Sequence, residues 1–229
     1  MQIETHHLLE GAANATGVVV IIDVFRASTT TCYVMSQSLT DYFLVGDSIT
    51  VAQLKKADSQ AFLIGKPEGG LDPQYDIPNS PTLSLHHDLS TRVVVHRTAA
   101  GARGVLNALR ADEVLVAGFV NVGATVTYIQ NQKSSVVSLV CMGHEGTLPA
   151  PEDELCAEFF MARLKGGEGV ADRERIHTLR LTSGAYFFGE AQGEYPTADF
   201  ERCLEIDRFG FAVRAEQIGS YARLRKVSV

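Results

Sequence analysis

An open α/β sheet assembled from repeated strand–helix–strand units is the fold class this sequence predicts. Three observations carry it. Residues 18–22 read Val-Val-Val-Ile-Ile, an uninterrupted β-branched run of the kind buried on both faces in a central parallel strand. From residue 18 to residue 165, strand-like apolar runs alternate with segments whose apolar residues recur at helical spacing. Several strand ends carry small, polar or glycine-rich residues, which is where such sheets place a ligand crevice.

Each element follows in order. The first strand runs into Asp23, and Ser28 opens a helix to residue 39. Residues 41–45 form a short strand, and Asp47 or Ser48 caps a helix through Val51, Leu54 and Ala57. Residues 61–64 are a third strand, followed by a patternless stretch over 65–78 whose length marks a functional loop. Asn79-Ser80-Pro81 is an N-cap followed by a proline suited to a first helical turn. Strands are expected at 92–96, 113–117 and 135–140, with helices following to 109, over 122–131 and from 152. Beyond Gly166-Gly167 the pattern turns mostly helical, over 178–189 and 199–207, with a short apolar segment at 211–214.

Composition bounds the function. The 229 residues suit one α/β domain (1–229), with a smaller C-terminal lobe from about 166 as the alternative division. A net charge of −7 leaves no basic stripe for nucleic acid. Cys32, Cys141, Cys156 and Cys203 are scattered, without zinc-site or disulfide spacing. The first residues lack a signal peptide's basic and apolar regions, and no apolar run reaches membrane-spanning length. The expectation is a cytoplasmic protein without nucleic-acid or membrane partners; a homodimer stays open.

The polar strand ends suggest phosphoryl chemistry. Asp23, with Glu152 and Asp153 at the start of a later helix, offers carboxylates for a hard cation such as Mg²⁺, which needs one or two and keeps several waters. Arg26 and Arg103 supply planar donors for anion oxygens, while Ser28 and Thr29 begin a helix whose amides suit a phosphate. Thr98 and Gly101 lie in a tight turn where backbone can approach a ligand, and Asn121 follows another strand. His144, in the loop before Glu152, is the candidate general acid. Plainer roles compete: Asp23 and Ser28 as helix caps, Arg26 as Asp23's ion-pair partner, and the acidic run 152–154 as a complement to the helix dipole. His6-His7 and His86-His87 read as surface or packing residues. His96, ending a strand, is a site candidate or a hydrogen-bonded core imidazole. No dinucleotide, nucleoside-triphosphate or hydrolase-elbow motif occurs.

These segments resemble a family. Asp23-Val-Phe-Arg-Ala-Ser-Thr-Thr is similar to the Asp-Leu/Met-x-Arg-Ala-Thr/Ser block of the 2-phosphosulfolactate phosphatases (ComB-like). Tyr75-Asp-Ile-Pro-Asn79-Ser80-Pro81 resembles their Phe-Asp-x-x-Asn-Ser-Pro. Phe119-Val-Asn121-Val-Gly-Ala, the block from Gly143 to Cys156 and Asp199-Phe-Glu-Arg-Cys203 follow in the same order and at similar spacing. The resemblance implies a three-layer α/β/α sandwich with a largely parallel or mixed sheet. It also implies a Mg²⁺-dependent phosphatase that converts 2-phosphosulfolactate, a small anionic organic phosphate, to sulfolactate and phosphate. By the same resemblance Asp23, Glu152 and Asp153 hold the metal and Asp23 and Arg26 are catalytic, joined by His144 from its place in the loop. Arg26, Ser28, Thr29, Asn79, Ser80, Thr98, Gly101, Arg103 and Asn121 bind substrate.

Two blocks depart from that pattern. The family's Gly-Glu-Arg is here Gly65-Lys66-Pro67-Glu68. Its Thr-Thr-Asn-Gly-Thr-Arg is here 97–103, which keeps Thr98, Gly101 and Arg103 but has Ala99 and Ala100. A relative that binds a small phosphorylated or carboxylated ligand without turnover is the alternative these changes motivate.

Overall fold

The β-branched run 18–22 lies at the heart of the sheet, every residue buried. A computed structural model describes residues 1–67, 74–169 and 173–229. Glu68 and the rest of 68–73, within the long patternless stretch, lie outside the described residues, as do 170–172. The chain runs β1 (Gln2–His7), α1 (Leu8–Asn14), β2 (Gly17–Ile22), α2 (Ala27–Met35), β3 (Asp41–Val45), α3 (Ser48–Ala57), β4 (Phe62–Ile64), α4 (Pro81–Ser84) and β5 (Val93–Arg97). It continues through α5 (Gly101–Asn107), β6 (Ala111–Ala117), α6 (Val122–Gln132), β7 (Val136–Cys141), α7 (Pro151–Leu164), α8 (Arg173–Leu181) and α9 (Thr197–Cys203). It ends in β8 (Phe211–Ile218) and β9 (Tyr221–Ser228); short 3₁₀ turns lie at Phe119–Asn121 and Ala185–Phe188.

Alternation along β2 produces the three layers. Val19 and Ile21 face a core with α1, α2 and α5, represented by Ala12, Tyr33 and Val105. Val18, Val20 and Ile22 face the opposite core with α6, α7 and α9, represented by Ile129, Phe160 and Phe200. Full burial of such side chains contributes roughly 1.5–3 kcal/mol each. Caps fall where the sequence places them: Asp47 accepts from Thr50 N at 2.8 Å and Ser80 from Leu83 N at 3.1 Å.

Among the described residues the sheet is mixed and nine-stranded, with order β1-β7-β2-β6-β8-β9-β3-β5-β4. Two stretches escape the sequence pattern. β1 and α1 precede the apolar run, and β1 has exposed ends with half-buried residues between them and none fully buried. The segment expected only as a short apolar run at 211–214 is the first arm of a hairpin inserted mid-sheet, β8 antiparallel to β6 and β9 antiparallel to β3. Three successive antiparallel pairings make the blocks β1-β7-β2-β6 and β3-β5-β4 run in opposite senses. The strand ends therefore do not meet merely by sharing an edge, as an all-parallel sheet would arrange. Twist of about 20–25° per step accumulates to on the order of 100° over the five steps from β2 to β5. A rotation of that size brings antiparallel strand ends toward each other, and the turns after β2 and β5 do touch, with Asp23 Oδ2 accepting from Gly101 N.

Candidate active site

The turn after β2 is folded on its own polar groups. Asp23 Oδ1 accepts from Ala27 N at 3.3 Å, and its carbonyl accepts from Ser28 N at 2.9 Å. Ser28 Oγ accepts from Asp23 N at 3.1 Å, while Thr29 Oγ1 donates to the Val24 carbonyl at 3.2 Å. Both hydroxyl side chains are fully buried and spent on the turn. Asp23 Oδ2 reaches across to Gly101 N at 2.9 Å, linking β2's end to the start of α5. A Cβ at Gly101 would lie 3.1 Å from that oxygen, so glycine permits this close approach.

Asp153 ties a third segment in. Its Oδ1 accepts from Val24 N and its Oδ2 from Gly143 N, both at 2.8 Å. Gly143 has φ +67°, and a Cβ there would run into the Leu148 carbonyl. Glu152 Oε2 accepts from Ser183 Oγ at 2.6 Å. The three carboxylates sit behind one another in a buried acidic group. Desolvation, partly offset by the amides of Ala27 and Gly101, raises Asp23 to about 6, with Glu152 adding repulsion and Arg26 opposing it. Burial first, then repulsion from Asp23 and Glu152, pushes Asp153 well above the ordinary range. Burial raises Glu152, against the Ser183 hydrogen bond and nearby His144.

Asp23 opens onto a cavity of about 400 Å³, a size suited to a small ligand. Arg26, Lys66 and Arg97 bring three cationic groups to its walls; Glu145 and Glu194 join Asp23 as carboxylates. Asn79, Thr98 and His144 also face it, as do Ala99 and Ala100. Asn79 Oδ1 is buried with no hydrogen-bond partner among the described residues. Arg26 Nη1 donates to Asp199 Oδ2 at 2.8 Å and to the Glu194 carbonyl at 2.7 Å. Its guanidinium carbon stands 4.6 Å from the Tyr195 ring centroid. Arg26's ion-pair partner is therefore Asp199, not Asp23.

The structure thus brings Asp23, Arg26, Asn79, Thr98 and His144 to one cavity, with Gly101, Glu152 and Asp153 behind it. Ser28, Thr29, Ser80 and Asn121 are fully buried supports outside the cavity lining. Ser80 Oγ bonds Asp199, and Asn121 Oδ1 accepts from Gly118 N. Arg103 is not brought in: it is exposed on α5, whose Gly101, Ala102, Gly104 and Val105 form the buried face. Arg97, at the end of β5, lines the cavity instead, with Nη1 donating to the Lys66 carbonyl at 2.9 Å. His96 is a core imidazole, its Nδ1 2.5 Å from Tyr42 Oη, and burial lowers it to about 3. Sequence reasoning missed Lys66, Arg97 and the wall formed by Tyr186, Glu194 and Tyr195. Arg97 directly follows the strand expected at 92–96 and was legible; the aromatic wall follows no local spacing.

Comparison with known proteins supplies a family. A family model described as 2-phosphosulpholactate phosphatase matches residues 3–192. A Bacillus subtilis protein is 24% identical over 227 residues, covering 98% of this chain and 96% of its own. One from Thermoplasma volcanium is 26% identical over 195 residues, covering 85% and 87%. One from Thermotoga petrophila is 30% identical over 159 residues, covering 68% and 67%. Each relative is named "Probable 2-phosphosulfolactate phosphatase". No helix of the described residues is long and apolar enough to cross a membrane.

Proposed function

The chain belongs to the 2-phosphosulfolactate phosphatase family, and from that premise we propose that it hydrolyses 2-phosphosulfolactate with Mg²⁺ as cofactor. The observation that carries the reading is the cavity in which Asp23 faces Arg26, Lys66 and Arg97. The substrate bears phosphate, sulfonate and carboxylate groups on a three-carbon frame, and each needs a cationic or hydrogen-bonding partner.

The residues present fit a magnesium ion. Asp23 would supply one carboxylate and Asn79, whose Oδ1 has no partner among the described residues, would offer a further oxygen from the same cavity lining. Glu152 and Asp153 stand behind Asp23, with Asp153 tied to Val24 N and Gly143 N. Asp23, Glu145 and Glu194 line the cavity beside Arg26, Lys66 and Arg97, and Arg26 is already paired with Asp199, so a dication would tip the cavity toward a polyanion. When bound, Mg²⁺ neutralises charge on the phosphoryl oxygens.

The chain's own groups do the rest. Nη1 of Arg26 is held by Asp199 and Glu194, which fixes the guanidinium plane and leaves the other donors of the fork for phosphate. Lys66 and Arg97 take the sulfonate and carboxylate. Water forms the new bond to phosphorus and releases one proton to solvent, the ester P–O bond breaks, and His144 passes a proton to the departing alkoxide oxygen and then regains one from solvent. Four free, buried cysteines suit a reducing compartment, in keeping with a cytoplasmic enzyme.

The departures at Lys66, Ala99 and Ala100 fall on the cavity wall, so substrate identity is the part of the reading most exposed to test. Phosphate release from 2-phosphosulfolactate and from an aryl phosphate is measured with and without Mg²⁺, beside calorimetry of binding. Metal-dependent release supports the reading. Tight binding without turnover from folded protein replaces it with a ligand-binding relative.

A further inference from the structure

We propose that His7, Cys141 and Glu154 form a second cation site, for a thiophilic divalent ion such as Zn²⁺, separate from the Asp23 cavity. The three residues come from β1, β7 and the first turn of α7. β1 and β7 pair in parallel with His7 directly opposite Cys141, which brings both to one end of the sheet beneath α7. No sequence spacing signals this set, because only the strand pairing assembles it.

One ligand atom from each residue lies within 4.8 Å of the other two, and His7 Nδ1 is 2.8 Å from Glu154 Oε1. Zinc bonds of about 2.0–2.3 Å place tetrahedral neighbours roughly 3.3–3.6 Å apart. The longest separation, at most 4.8 Å, therefore contracts by no more than about 1.2–1.5 Å, and the 2.8 Å His7–Glu154 pair opens by roughly 0.5 Å. His7 and Glu154 can supply it, being 51% and 31% exposed, while Cys141 is a fixed floor at 2%. A nitrogen, a sulfur and an oxygen suit zinc, whereas Mg²⁺ seeks oxygen alone, so the two sites select different ions. Three protein ligands leave the fourth position to water.

Binding is a ligand exchange without redox change. The Cys141 S–H bond breaks, its proton goes to solvent, and the sulfur–metal bond forms. The bound ion joins the β1–β7 edge to the first turn of α7, where the neighbouring Asp153 holds Val24 and Gly143. The plainer alternative is a His7–Glu154 ion pair above an inert thiol, which has no response to metal.

The test titrates the full-length, metal-free protein with Co²⁺ and reads the near-ultraviolet thiolate-to-cobalt charge-transfer absorption. The expected result is a band that saturates at one equivalent, is displaced by Zn²⁺ and is absent in Cys141→Ser. His7→Ala, an exposed position, keeps the fold and weakens Co²⁺ affinity by on the order of tenfold or more. Asp23→Asn leaves the band in place, which separates this site from the phosphatase cavity. Absence of a band at millimolar Co²⁺, its persistence in Cys141→Ser, or unchanged affinity in His7→Ala overturns the proposal.

Discussion

Arg26 Nη1 meets Asp199 Oδ2 at 2.8 Å, a contact spanning 173 positions of sequence. Asp199 is fully buried, and its other oxygen accepts from Ser80 Oγ and Thr82 N, both at 2.9 Å. The pose of the guanidinium is thus dictated by α9 and the cap of α4. Asp199→Asn keeps the shape and removes the charge. Catalytic efficiency should fall on the order of tenfold to a hundredfold, as loss of a charge-assisted contact worth about 1.5–3 kcal/mol implies. Breaking a buried pair should also lower the melting temperature. Steady-state kinetics beside thermal melts check both; unchanged kinetics in a destabilised protein would leave Arg26 positioned by other means.

Asp23 gives a pH signature in the metal-free protein. Its carboxyl is raised from 3.8 to about 6, so between these values the folded state binds a proton the unfolded state has released. The penalty is absent below pH 3.8, grows through this window and is complete above about 6, reaching roughly 3 kcal/mol. Asp23→Asn carries a constant cost, because its amide nitrogen faces one of the two donors from Ala27 and Gly101. Relative to wild type, the variant should nevertheless gain stability as pH rises from 4 to 7. Mg²⁺ should stabilise wild type at pH 7 and the variant far less. A pH-independent difference in melting temperature would remove Asp23 as the titrating group.

The two arginines of the β5–α5 segment separate by experiment. Arg97→Ala should raise KM for the phosphorylated substrate by about tenfold or more, as loss of a charge-assisted hydrogen bond predicts. Arg103→Ala, altering an exposed side chain, should stay within about 0.5 kcal/mol of wild type in stability and keep its kinetics. The reverse pattern would move the anion site onto α5.

Gly143→Ala should be costly. The residue sits at φ +67°, where an L side chain is strained by roughly 1–2 kcal/mol, and its Cβ would meet the Leu148 carbonyl. Relief requires moving the amide that Asp153 holds, so Mg²⁺ affinity and stability should fall together. A calorimetric Mg²⁺ titration of the variant showing wild-type affinity would mean the Asp153 clamp does not support the metal site.

The legible parts of the molecule were those with local chemistry. The run 18–22 announced the central strand because burial on both faces demands unbroken apolar residues. Asp23, Arg26, Thr98 and His144 were visible as polar residues at or just after strand ends. The hairpin was not, since Phe211 to Ile218 is partly buried and its strand character comes from neighbours far away in sequence. Arg103 was favoured over Arg97 by motif position. The small residues at 101, 102, 104 and 105 already marked the inward face of α5 and left Arg103 outside. Asp199's role depended on a partner near the other end of the chain, which no local spacing expresses.

The mid-sheet hairpin also bears on how the polypeptide is made. During synthesis, β6 and β3 are complete long before residues 211–228 leave the ribosome, yet each needs one arm of that hairpin along its side. Until then the nascent chain carries two apolar half-sheets with open hydrogen-bonding flanks, templates for pairing with another molecule. A cell making this protein has to shield both flanks until the hairpin arrives, and a chain lacking residues 211–228 is expected to aggregate rather than fold, which light scattering of that variant checks.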